Sequence, residues 1–219
     1  YLRSNLDVLK TVAKSPYIVG SDFIGEEIND VTDLKPAIKE LVDYVYEVDP
    51  DFTIKIHAGE NDSLRDNVSK SIKCIEESLN PGQTMPKVRL GHGLYTEDLS
   101  SPEGKKLLKE LKKDNIILEF QISSNVRLNN LSNLSLHPVR KYLDADVKCV
   151  QGTDGCGFYG IDTIDEQIAL RNLLDIKDTD FAKMRKVEDE ILAKRKVYFE
   201  EKSNKFEQFL DGRTIEEAL

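Results

Sequence analysis

The chain has 219 residues, a formal net charge of −9, 39% hydrophobic and 32% charged residues, a composition that can bury one ordinary globular core. The acidic balance excludes a general nucleic-acid or anionic-membrane binder, which needs a basic face, and no apolar run approaches the roughly 20 residues of a membrane span. Cys74, Cys149 and Cys156 show no CxxC spacing, which points to reduced thiols and a cytoplasmic setting.

In chain order, Pro16–Phe23 (PYIVGSDF) reads as a strand and Leu34–Val48 as a helix with apolar residues at three- and four-residue spacing. Phe52–Gly59 (FTIKIHAG) is the next strand. A helix follows over Ser63–Leu79, with Ser63 as its N-cap and NPGQ as its breaker. Lys87–Gly93 is a strand, Ser101–Asp114 a helix opened by Ser-Pro, and Asn115–Ser123 a strand. His137–Ala145 is a short helix and Val147–Gly155 the last strand. Thr163–Leu174 and the long run Thr179–Leu210 are helical. The alternation predicts a parallel sheet with right-handed crossovers, in one domain over residues 1–219.

Asp22, His57, His92, Ser124, Asn125 and Asp154 all fall at or just past the C-terminal ends of these strands, the rim on which a (β/α) barrel builds its active site. A glycine-rich phosphate turn, expected of a dinucleotide-binding sheet, is absent, so a barrel is the better reading. His57, His92 and Asp154 are each flanked by glycine, and histidine with aspartate from different strands suits zinc. Glu60, three residues past His57, is placed to act as general acid or base. Lys55 shares the face of His57 and needs carboxylate partners, expected to be Asp22 and Glu119. His137 is read as a helix cap, Cys149 as strand core, Cys156 as a bland loop residue, and the terminal helix as a solvated amphipathic face.

HAGE, RLGHG, SSN and GTDG, in this order and spaced by βα units, resemble the metal-dependent adenosine deaminase family of the amidohydrolase superfamily. GSDFIGEE (Gly20–Glu27) and HPVRKYL fit the same pattern. The resemblance implies an α/β fold: a partial TIM barrel whose strands correspond to the fourth to eighth of the family, with a long C-terminal helix. It implies zinc-dependent hydrolytic deamination of adenosine or a related purine nucleoside or nucleotide. In that frame His57 and Asp154 are zinc ligands, Glu60 protonates purine N1, and His92 orients and deprotonates the attacking water. Asp154 also receives a water proton, the Gly25 backbone contacts purine N3, and Asp22 is a carboxylate behind the ligands.

Two departures are visible. The family's opening His-x-His pair, which supplies two more zinc ligands, is not in this chain, and the first three barrel strands are expected to lie outside it. The chain alone should therefore bind zinc poorly, be inactive, and self-associate through exposed barrel edges. Gly155 stands where the family has a second aspartate that hydrogen-bonds purine N7, a loss of about 1.5–3 kcal/mol. That opens the substrate to a modified purine or another cyclic amine, and leaves a non-catalytic module for assembly or nucleoside sensing as the alternative.

Overall fold

The computed structural model describes residues 2–128, 130–210 and 212–218. Helix α1 (Leu2–Val12) is followed by α2 (Lys35–Glu47), strand β1 (Ile54–Ala58), α3 (Asn67–Glu76), β2 (Val88–His92), α4 (Pro102–Lys113) and β3 (Ile117–Phe120). Then come α5 (Ile122–Arg127), α6 (Val139–Asp144), β4 (Cys149–Gln151), α7 (Cys156–Tyr159), α8 (Thr163–Leu174), α9 (Asp178–Leu210) and α10 (Ile215–Ala218). The four strands lie side by side in chain order, all parallel. Among the described residues no helix is long and apolar enough to cross a membrane.

Register decides which side chains share a face. His57 stands opposite Gly91, Gly91 opposite Glu119, and Glu119 opposite Val150, while Lys55 pairs with Arg89. One face of the sheet thus carries Lys55, His57, Arg89 and Glu119. The alternating residues Ile54, Ile56, Val88, Leu90, Leu118 and Phe120 point the other way and are buried in the main core with Ile38, Leu41, Val68 and Ile72 of the covering helices.

Several boundaries depart from expectation. The run expected as a first strand is held to β1 by two isolated parallel bridges, Gly20↔Thr53 and Phe23↔Ile56, rather than by a continuous ladder. Between the bridges Asp22 turns its carboxylate to Lys55, 2.9 Å away. Helix α1 was not anticipated; its apolar Leu6 is buried, and Arg3 and Lys10 both pair with Glu40 of α2. Ser63 is no N-cap. It lies in a 3-10 turn whose cap is Asn61, accepting from the Ser63 amide at 3.0 Å, and α3 begins only at Asn67. The fourth expected strand stops at Phe120 because α5 starts there, its first amides taken by the buried carboxylate of Glu166 on α8.

The terminal helix is only partly a solvated face. Met184 and Val187 of α9 are buried, and Val187 with Ile191 packs on Ile117 and Val150. Further along, Arg195 reaches Asp49 at 2.8 Å and the Ile18 carbonyl at 3.3 Å.

Candidate active site

His57 and His92 end adjacent strands, so parallel pairing brings their rings together edge to face, with centroids 4.8 Å apart. Gly91 makes this possible: a Cβ there would come within 3.0 Å of the His57 ring. His92 takes a left-handed backbone (φ 69°), as does Asp154 (φ 51°), and non-glycine residues held in that region concentrate at functional sites. His92 Nδ1 lies 2.9 Å from Asn125 Oδ1, an acceptor, so Nδ1 carries the proton in this arrangement and Nε2 accepts from His57 Nδ1 at 3.2 Å. That relay leaves the lone pair of His57 Nε2 free. The atom is buried, makes no aligned hydrogen bond, and faces Asp22 Oδ1 at 3.4 Å. A lone pair facing a carboxylate is repulsive until a cation joins them, so the donor set fits a metal ion.

Glu60 Oε1 is 3.8 Å from His92 Nε2. Among the described residues, His57, Glu60 and His92 form a group whose potential ligand atoms all lie within 4.8 Å of one another. Burial raises the Glu60 pKa, with the charges of Asp154 and Glu27 adding to it against the opposing pull of His57. Burial likewise pushes His92 down to about 4, helped by the His57 charge. Asp22 is lowered despite its burial, because a proton on His57 Nε2, where no metal ion takes that position, and the Lys55 ammonium hold the carboxylate ionised.

Asp154 stands outside that three-residue group. Its Oδ2 accepts from Ser124 Oγ at 2.6 Å, and the Tyr159 hydroxyl lies 3.4 Å from the same serine. Its charge still reaches His92 and Glu60. Lys55 pairs with both expected partners, Asp22 at 2.9 Å and Glu119 at 3.3 Å. Glu119 also pairs with Arg89 and accepts from Gln121 Nε2 at 2.7 Å, while Gln121 Oε1 accepts from the His92 amide at 3.1 Å.

A cleft of 610 Å³ opens beside this network, lined by Asp22, Lys55, Arg89, Glu119, Asp154 and Gly155. Gly25 (φ 150°) lines a separate hollow of 280 Å³ with His57 and Glu27, while Gly155 lines the cleft; the exposed Ile24 borders both. A Cβ on Gly155 would meet the rings of Tyr159 and Phe158 at 3.3–3.4 Å, so aromatic side chains fill the space where a longer residue would project. His137 lies one residue before Pro138, the N-cap of α6, and its Nδ1 accepts from the Val139 amide at 3.2 Å.

The profile of the adenosine deaminase family matches residues 3–192. The chain is 34% identical over 166 residues to an adenosine deaminase of Plasmodium gallinaceum, covering 76% of this chain and 40% of that protein. It is 30% identical over 155 residues to one of Clostridium acetobutylicum, again over 40% of the relative. The chain thus spans about two fifths of the length of these relatives. Among solved structures it is similar to Arabidopsis ADAL complexed with IMP, with a TM-score of 0.64 at 19% identity, covering 93% of this chain and 56% of that one. An adenine deaminase from Arthrobacter aurescens gives a TM-score of 0.61 at 19% identity, over 84% and 50%. These likenesses make the four-stranded sheet part of an α/β barrel. By its motifs, its fold and the extent of the profile match, the chain belongs to the adenosine deaminase family.

Proposed function

We propose that the full-length protein hydrolytically deaminates a purine nucleoside or nucleotide, with zinc held by His57 and Asp154 and by further ligands from barrel strands outside this chain. Bound zinc would supply Lewis acidity and a lowered water pKa. Glu60 gives its proton from the carboxyl group to ring N1, which leaves C6 electron-poor. His92, its Nδ1 fixed by Asn125, orients the attacking water and takes a proton at Nε2, and Asp154 accepts the second. The Gly25 backbone meets N3, Asp22 steadies His57, and Gly155 leaves the N7 edge without a carboxylate. One of the two water protons passes on to the C6 amino group, which departs as ammonia; the other returns to Glu60, and the product carries oxygen at C6.

The observation that carries this reading is the desolvated Glu60 carboxyl group 3.8 Å from His92 Nε2. The test is zinc content together with ammonia release from adenosine, AMP and N6-methyl-AMP by the full-length protein. Glu60→Gln should lower kcat by about 10²–10⁴-fold, and unchanged turnover overturns the assignment. The chain alone, with its incomplete ligand set, should release none. Gly155 favours a second reading, a deaminase-like module for assembly or nucleoside sensing; purine binding without ammonia release would establish it. The free thiols of Cys74, Cys149 and Cys156 support a cytoplasmic setting.

A further inference from the structure

Glu27, in the GSDFIGEE segment, hydrogen-bonds no side chain assigned to the chemistry, yet its buried carboxylate accepts four hydrogen bonds, one of them from the Glu60 amide. Its Oε1 accepts from the Gly59 amide at 2.7 Å and from Asn67 Nδ2 at 2.9 Å. Its Oε2 accepts from the Glu60 amide at 2.6 Å and the Asn61 amide at 3.3 Å, and the Glu27 carbonyl accepts from Asn61 Nδ2 at 3.1 Å. Three successive backbone N–H groups therefore converge on one anion, the geometry of an anion-binding nest, here filled by a side chain of the same chain. The nest requires Gly59 with φ +73°, where a Cβ would stand 2.5 Å from the Tyr95 carbonyl oxygen.

We infer that Glu27 is the positioning residue of the site: by clamping the amides of Gly59, Glu60 and Asn61 it fixes the loop that aims the Glu60 carboxyl group at the reacting ring. The inference rests on the deaminase reading for its catalytic consequence and on the hydrogen bonds alone for the clamp. Both carboxylate oxygens accept from two donors, so a glutamine in either orientation turns its NH₂ toward two N–H groups and opens the loop without changing its bulk.

The test compares wild type and Glu27→Gln in the full-length protein, by steady-state kinetics and by amide hydrogen exchange. Misaiming the proton donor should lower kcat by about 100-fold with KM unchanged, because the contact it disturbs is made in the transition state. The Gly59, Glu60 and Asn61 amides should exchange faster while β2 and β3 stay protected. Wild-type kcat in Glu27→Gln overturns the inference, and so does a loss that tracks exchange across the whole molecule. If Glu27→Gln does not fold, Asn67→Ala removes one donor and should lower kcat in the same direction; an unchanged kcat there is equally fatal. If the wild type releases no ammonia from any purine, the deaminase reading fails, and the exchange of these three amides alone decides whether Glu27 holds the loop.

Discussion

His57 and His92 show how much a single missing side chain can decide. Gly91 leaves the space in which the His57 ring lies, and Gly152 leaves space for Glu119, whose Oε1 would stand 2.1 Å from a Cβ there. His137 carries a prediction of a different kind. Burial and the His92 charge push its pKa down to about 4. As pH falls below the ordinary value near 6.5, the unfolded chain takes up a proton that folded His137 refuses. Stability should therefore fall between about pH 6.5 and 4 by up to about 3 kcal/mol, then level off, with His92 adding in the same direction. Urea midpoints across that range check this. His137→Asn, whose Oδ1 can replace Nδ1 as the acceptor of the Val139 amide, should show a shallower loss.

Elements with strong local punctuation were legible in the sequence. Ser101–Pro102 opens α4, and Ser101 Oγ accepts from the Gly104 amide at 3.0 Å. Ser101→Ala should cost about 1 kcal/mol, read as a lower melting temperature with the helix content of the folded state unchanged. Boundaries set by distant partners were not legible. The end of β3 is decided by Glu166, 44 residues from Ile122, and the shape of the HAGE loop by Glu27, 32 residues from Gly59. The same limit applies within the site. Asn125 showed only as a polar residue at a strand end, and its bond to His92, 33 residues back, depends on the intervening strand ending where α5 begins. Nothing local marks Glu27 as different from Glu26.

Across the whole molecule, four strands and a loosely paired edge segment leave the barrel side of Gly20–Phe23 without a strand among the described residues. Val8, Val12 and Tyr17, just ahead of that segment in the chain, are exposed, as are Val197, Phe206 and Phe209 on the far half of α9. Apolar side chains beside an open edge favour association. The isolated chain should therefore grow in apparent mass with concentration by light scattering, and a monodisperse monomer throughout would count against it.

The reach of α9 has a consequence for the order of assembly. Arg195 bonds the Ile18 carbonyl 177 positions away, and Lys202 bonds the Tyr17 hydroxyl 185 positions away. Such contacts close very long loops among the described residues, and long loops are slow to close. During synthesis they wait for residues 195–202, and until Val187 and Ile191 have emerged the nascent sheet keeps Ile117 and Val150 uncovered.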